Sequence, residues 1–89
     1  MTRPQLQRAS DELSAAAELT DGDAKDRLEY QADQLATLAT RESETDHGRL
    51  ARHTNALREL AAATEGEAAA HVEAAMDAIS EYRETLDGV

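Results

Sequence analysis

The sequence predicts an all-α fold: a four-helix up-down bundle made of two repeated helical hairpins. Apolar residues recur at spacings of three and four, two short turns each contain one glycine, and the two halves of the chain resemble each other. These features are typical of amphipathic helices joined in pairs. The 89 residues are enough for one small domain, so residues 1–89 are treated as a single unit.

Each hairpin is predicted to turn at a glycine. Residues 20–24 read TDGDA and residues 64–68 read TEGEA. Glycine readily adopts the left-handed backbone conformation that closes a helix, and Thr or an acidic residue caps the free N–H groups of the next helix. We therefore expect Gly22 and Gly66 to hold the two turns.

The two turns mark the centre of a longer internal similarity. An offset of 44 positions, the difference between the numbers of the two glycines, aligns residues 6–39 with residues 50–83. The identical pairs are Leu6 and Leu50, Arg8 and Arg52, Leu13 and Leu57, Ala17 and Ala61, Thr20 and Thr64, Gly22 and Gly66, Ala24 and Ala68, Glu29 and Glu73, and Asp33 and Asp77. Two amphipathic hairpins can converge on one pattern. Because the apolar positions also keep their helical phase, we interpret the similarity as a duplicated hairpin.

Residues 4–40 are predicted to form the first hairpin. Pro4 suits the first turn of a helix, where its missing N–H is not needed, and Thr2 is placed to cap that helix. Ser10 is expected to face water. The apolar stripes consist of Leu6, Ala9, Leu13, Ala16, Ala17 and Thr20 in the first helix and of Ala24, Leu28, Ala32, Leu35, Leu38 and Ala39 in the second.

A polar linker, residues 41–48, is predicted to separate the hairpins. From Thr40 to Gly48 the sequence has no apolar residue, and Thr45 or Asp46 is placed to cap the third helix. A short linker favours an antiparallel return of the chain and an up-down-up-down bundle. A partly helical linker would instead let the hairpins separate and swap between two chains.

Residues 49–87 are predicted to form the second hairpin, in which the fourth helix is the longest and ends at Asp87 and Gly88. Its apolar stripes consist of Leu50, His53, Thr54, Leu57, Leu60 and Ala61 in the third helix and of Ala68, Val72, Ala75, Met76, Ile79, Tyr82 and Leu86 in the fourth.

The predicted core is thin for a stable domain. The chain has no Phe, Trp or Cys, and much of its 40% hydrophobic fraction is alanine, which buries little area per residue. Self-association would supply the missing burial, so we expect a homodimer or another protein partner. Tyr30 lies about 200° around the second helix from Leu28, which makes it a candidate contact with a second chain.

The charge of the chain is strongly acidic. It has 19 acidic and 9 basic residues, a net charge of −10, and Lys25 is its one lysine. An acidic surface poor in lysine is typical of cytosolic proteins of salt-accumulating halophiles, because concentrated salt screens the repulsion between carboxylates. The alternative is an ordinary acidic bundle from a mesophile. We expect a halophilic, cytoplasmic protein.

The same charge argues against two classes of partner. No basic stripe is present to bind phosphates and no aromatic residue is placed to stack on bases, so we expect no nucleic acid partner. An anionic membrane surface would repel the protein. We also find no apolar run long enough for a membrane span and no apolar leader, and we expect no membrane association.

Three histidines are the candidate metal ligands. Glu44 and His47 have the Glu-x-x-His spacing of di-iron bundles, but they fall in the linker and lack the paired motifs of such a site. Glu67 and His71 lie four apart on one helical face, a spacing that suits a metal ion but also a solvated pair. His53, on or beside an apolar stripe, is expected to be a partly buried structural residue.

The sequence contains no recognised catalytic motif. Its Ser and Thr residues fall in caps, turns and helix surfaces, and none stands in a motif with His and a third group. Its glycines are isolated, so no phosphate-binding loop is present. We therefore predict a protein that is not an enzyme, has no cofactor and has no assigned metal site.

One part of the sequence resembles a known group of proteins. Residues 56–60, reading ALREL, continue through residues 65–68, reading EGEA, to residues 79–83, reading ISEYR. This segment resembles small, acidic haloarchaeal helical proteins of unknown function. The resemblance covers mainly the second hairpin and implies a haloarchaeal source and an all-helical fold, with no activity or site residues to carry over.

The first functional hypothesis is a non-enzymatic interaction module that self-associates through apolar positions left over from its core. It predicts that Leu13, Leu28, Leu35, Leu57, Val72, Ile79 and Tyr82 are buried. The alternative is a small-ligand or metal-binding bundle in which His53, His71 and carboxylates such as Glu67 point inward. A third hypothesis is an acidic decoy that binds a basic protein.

Overall fold

The apolar periodicity of the sequence is realised as helices throughout the part of the chain that the structure describes. A computed structural model describes residues 3–41 and 45–86. The helices are α1 (Pro4–Glu18), α2 (Gly22–Thr40), α3 (His47–Ala63) and α4 (Gly66–Arg83). Within those residues there are four helices and no strand, and none of the helices combines the length and apolar character needed to cross a membrane.

The four helices surround one core, but they do not pack equally. Helix α1 packs extensively against both α2 and α4, and α3 packs mainly against α4. The contact between α2 and α3 is much the smallest, and the backbones of the diagonal pairs α1–α3 and α2–α4 do not approach each other closely. The α2–α3 side is therefore the weakly packed side of the bundle, which measures 37 × 22 × 17 Å.

Both short turns use glycine in the left-handed conformation. The φ angle is 68° at Gly22 and 59° at Gly66. Each glycine is the first residue of the following helix, α2 or α4, rather than the residue that closes the preceding one. The positive φ reverses the chain between two packed helices, and only glycine adopts this conformation without steric cost.

The threonine of each turn has a different role from the one that the sequence suggested. The Thr20 hydroxyl donates to the Ala16 carbonyl at 2.7 Å, and the Thr64 hydroxyl donates to the Leu60 carbonyl at 2.9 Å. The side chains that precede α2 and α4 accept no capping hydrogen bond. Both threonine hydroxyls therefore donate to a carbonyl group near the C-terminal end of the preceding helix and do not cap the N-terminus of the next helix.

Helix α1 begins at Pro4, as the sequence predicts, and is tied at this end to α2. The residue in the capping position is Arg3, whose side chain does not cap α1. Its backbone N–H donates to the Ala39 carbonyl at 2.8 Å, and its guanidinium donates to the carbonyls of Leu38 and Arg41 at 3.1 and 2.6 Å. The predicted cap Thr2 lies outside the described residues.

Helix α3 begins inside the stretch that the sequence assigns to a linker. The predicted linker is 41–48, but the helix starts at His47, before the predicted boundary at residue 49. Asp46 caps it, because one carboxylate oxygen accepts a hydrogen bond from the backbone N–H of Arg49 at 2.7 Å. Of the two predicted caps, Asp46 is therefore the one used.

The second hairpin also ends earlier than predicted. Helix α4 ends at Arg83, and Leu86 follows it but is still buried against the core. With 18 residues α4 is slightly shorter than α2, which has 19, so the prediction that the fourth helix is the longest is wrong. The predicted stop at Asp87 and Gly88 lies outside the described residues.

The core is built from leucine and alanine, and the seven residues predicted to be buried are confirmed. Leu13, Leu28, Leu35, Leu57, Val72 and Ile79 are fully buried and Tyr82 is 5% exposed. The prediction that Ser10 faces water is wrong, because its side chain is buried and its hydroxyl donates to the Ala32 carbonyl at 2.7 Å. Helix α1 packs on two neighbours, so its buried face is wider than one stripe.

Candidate functional site

The weak contact between α2 and α3 leaves a surface groove, which we call the α2–α3 groove. Its polar end is lined by Tyr30, Gln31, Gln34, Arg49, Arg52 and His53. Its apolar end is lined by Asp26, Arg27, Tyr30, Gln31, Ala56 and Leu60. Tyr30 and Gln31 belong to both ends, so they form the boundary between a hollow lined by two arginines and a mainly apolar hollow that Asp26 and Arg27 border.

Tyr30 is the most exposed large apolar side chain of the groove. Its side chain is 59% exposed, and among the described residues only one other large hydrophobic, Leu19 at 53%, is comparable. The helical phase of α2 explains this exposure, because Leu28 and Leu35 occupy the buried face of the same helix. Tyr30 therefore lies where the sequence places it, away from the core.

His53 is half-buried in the polar end of the groove. Its Nδ1 lies 2.6 Å from Oε1 of Gln31, so the ring donates a hydrogen bond from α3 to α2. Burial lowers the pKa of His53 below 6.5, and the nearby positive charges of Arg49 and Arg52 lower it further. His53 is thus a neutral residue that joins two helices, which agrees with the structural role expected from the sequence.

The lowered pKa of His53 predicts a pH dependence of stability. The unfolded chain takes up a proton at this residue near pH 6.5 while the folded chain stays neutral. The free energy of unfolding should therefore fall as the pH drops through 6.5, until the folded state is protonated as well. Above this pH range His53 is neutral in both states and makes no pH-dependent contribution to the free energy of unfolding.

The measurement is urea denaturation of the wild type and of His53→Gln at several pH values between 8 and 5. Glutamine can keep a hydrogen bond to Gln31 but does not titrate. The wild type should lose more stability on acidification than the variant, and the difference isolates His53 from the many carboxylates. Parallel pH profiles would contradict the assigned environment.

His71 lies elsewhere, between α1 and α4. Its Nδ1 is 2.6 Å from Oε1 of Glu12, and the two side chains are 37% and 28% exposed. Glu67, four residues before His71, is exposed to solvent. The inward orientation expected of Glu67 is therefore not found, and the partner of His71 is a carboxylate on another helix.

The candidate metal ligands are not brought together. Among the described residues no three His, Cys, Asp or Glu side chains form a group that could hold a metal ion. His53 lies in the α2–α3 groove, while His71 lies between α1 and α4. Glu44 lies outside the described residues, and Nδ1 of His47 accepts a hydrogen bond from Arg83 Nε at 3.2 Å.

The end of the bundle near the linker contains buried polar atoms. The Thr45 hydroxyl, Nε2 of His47 and the Tyr82 hydroxyl are buried and have no hydrogen-bond partner within the described part of the chain. Because Nδ1 of His47 accepts from Arg83, Nε2 carries the proton in the neutral ring. None of these three residues lines the α2–α3 groove.

One functional feature of the groove was missed by the sequence prediction. Arg49, Arg52 and His53 lie at spacings of three and four, so they share one face of α3. Two of the 9 basic residues of this acidic chain, Arg49 and Arg52, therefore lie together on the face of α3 that carries the neutral His53. The spacing of these residues could have indicated a basic face on α3 from the sequence alone. The sequence does not indicate that α2 adds Gln31, Gln34 and Tyr30 to the same surface, because that depends on how the two helices pack.

Comparison with known proteins places the chain in a family without assigning an activity. The sequence model of a family described as a family of unknown function, DUF7553, matches residues 1–85. No curated protein and no solved structure matches the chain significantly. The match spans all four helices, from the residues before α1 to the residues after α4. The chain therefore belongs to DUF7553, a family whose function is unknown.

Proposed function

We propose that this chain is a non-enzymatic helical module that binds a protein, and that its partner is a second copy of the same chain. The observation that carries the proposal is the exposed ring of Tyr30 beside the apolar end of the α2–α3 groove, which Ala56 and Leu60 also line. An exposed aromatic next to an apolar hollow is typical of a protein contact, because aromatic side chains contribute much of the binding energy of interfaces.

The weak packing between α2 and α3 also supports this face of the bundle as the self-association surface. These two helices make the smallest contact in the bundle, and Tyr30 of α2 is a large apolar side chain that the core does not cover. A core rich in alanine gives a small domain little hydrophobic stabilisation. Burial of this face in a homodimer would add apolar area that a single chain does not bury.

The proposal includes a duplicated hairpin as the origin of the up-down bundle. Equivalent positions of the two hairpins share local structure: Gly22 and Gly66 both have positive φ, and Thr20 and Thr64 both donate to the helix before the turn. These equivalences support a duplication, because turn chemistry and helical phase agree at the same 44-residue offset.

The acidic composition supports a halophilic, cytoplasmic setting for the module. A net charge of −10 on 89 residues is repulsive in dilute buffer and is screened in concentrated salt. We therefore expect self-association to be stronger in molar KCl, where like-charged copies repel each other less. This proposal assigns neither a nucleic acid nor a membrane as the partner.

The test is the solution mass, measured by light scattering over a dilution series in molar KCl and in dilute buffer. We expect a mass of twice 9.6 kDa in molar KCl for the wild type. Tyr30→Glu should give a monomer, because the new charge would be buried in the interface. Leu19→Glu is the matched control, since Leu19 is similarly exposed but lies at the turn after α1.

Two outcomes would contradict the proposal. A wild-type mass of 9.6 kDa at every concentration would show that the chain does not associate with itself. A dimer that survives Tyr30→Glu but is lost in Leu19→Glu would show that association uses another face. Circular dichroism of both variants would verify that the helices remain folded.

A further inference from the structure

The polar end of the α2–α3 groove differs in charge from the protein as a whole. Arg49 and Arg52 contribute two guanidinium groups to it, while the chain carries a net charge of −10. No acidic side chain lines this end within residues 3–41 and 45–86. The polar end of the groove is therefore lined by two positive side chains on an acidic protein.

Arg49 and Arg52 form no ion pair with another residue of the described ranges 3–41 and 45–86. The salt bridges within those ranges use Arg8, Lys25 and Arg27 as their cations, and His71 lies against Glu12. The Asp46 carboxylate accepts from the backbone N–H of Arg49, and this bond leaves the guanidinium unused. No described side chain therefore pairs with either guanidinium group, and their planar donor arrays suit the oxygens of phosphate.

The uncharged residues of the groove complete a donor surface. Gln31 directs its amide oxygen to His53, which leaves its amide N–H groups as donors, and Gln34 supplies a second amide. The Tyr30 hydroxyl is a further donor at the boundary of the hollow. On the other side of Tyr30, the apolar end offers contact to a part of the ligand that carries no charge.

From this arrangement we propose that the α2–α3 groove binds a small organic phosphate whose remaining part is apolar or aromatic. The phosphate lies against Arg49 and Arg52, and the apolar part lies against the exposed ring of Tyr30 and the partly exposed Ala56. This inference goes beyond the proposed self-association, because the charged end is formed by one chain and needs no second copy. The apolar end also belongs to the proposed dimer face, so the ligand and a second copy compete for Tyr30. The titration is therefore made in dilute buffer, where self-association is expected to be weaker.

The test is a calorimetric titration with three probes: phenyl phosphate, inorganic phosphate and phenol. Phenyl phosphate should bind more tightly than either inorganic phosphate or phenol, because it alone contacts both ends of the groove. Arg52→Gln and Arg49→Gln should each weaken phenyl phosphate binding by about tenfold or more, since each removes a charged hydrogen bond. Arg49 and Arg52 are both exposed, so the fold does not depend on either side chain.

Arg58→Gln is the matched control. Arg58 is an exposed arginine of the same helix, but it donates to Asn55 and lies on the α3–α4 side, beside Met76 and Asp77. This variant changes the net charge by the same amount and should leave the affinity for phenyl phosphate unchanged within about twofold.

Three results would overturn the inference. The first is the absence of phenyl phosphate binding to the wild type. The second is an equal loss of affinity in Arg52→Gln and Arg58→Gln, which would show that only overall charge matters. The third is equal affinity for phenyl phosphate and inorganic phosphate, which would exclude an apolar subsite. The light-scattering mass is measured separately, so failure of this site and failure of self-association are distinguishable.

Discussion

Replacing Leu13 with alanine is expected to lower the free energy of unfolding by about 2–5 kcal/mol. Leu13 is fully buried on α1, the helix that packs on both α2 and α4. Its truncation leaves a cavity in a core that has few large side chains, because much of that core is alanine. For a small domain this loss is a large part of the total stability.

The Leu13 prediction is checked by urea denaturation followed by circular dichroism. Leu19→Ala is the control, since it deletes the same atoms from a side chain that is 53% exposed. The control should change the free energy of unfolding by no more than about 0.5 kcal/mol. Similar losses in both variants would show that Leu13 does not occupy the core.

Replacing Gly66 with valine is expected to cost about 1–2 kcal/mol of stability. Gly66 has a φ of 59°, a left-handed conformation in which a Cβ atom is close to the following carbonyl oxygen. Its surroundings do not add to this cost, because a Cβ atom built on Gly66 meets nothing within 4 Å. The expected loss is therefore a backbone effect.

Gly48→Ala provides the comparison for Gly66→Val. Gly48 lies in the first turn of α3, and an added Cβ atom would make only an ordinary contact, at 3.5 Å, with the Asp46 carboxylate. Because alanine favours a helix more than glycine does, this variant should be neutral or more stable by up to about 1 kcal/mol. A melting temperature of Gly66→Val equal to that of the wild type would disprove the left-handed assignment.

The sequence predicted the helices and the large core residues because their signals are local. A spacing of three and four places Leu28 and Leu35 on one face whatever the rest of the chain does. Ser10 was misplaced because its burial depends on a second neighbour of α1, which periodicity within one helix does not reveal. The start of α3 was misplaced because polar residues also form the first turn of a helix when Asp46 caps it.

The candidate site was predicted only in part, for the same reason. The exposure of Tyr30 and the partial burial of His53 follow from helical phase. Their partners do not, because Gln31 meets His53 across 22 positions and Glu12 meets His71 across 59. Such pairs depend on how far one helix is shifted along its neighbour, and side-chain periodicity carries no information about that shift.

The unequal packing of the helices also bears on how the bundle opens. The two hairpins are joined by a broad contact between α1 and α4 on one side and a slight contact between α2 and α3 on the other. Opening along the α2–α3 side separates the smallest helix contact. Helix α1 makes the two largest contacts in the bundle and should be the last helix to lose its protection from solvent. We therefore expect an order of local unfolding in which α1 opens last.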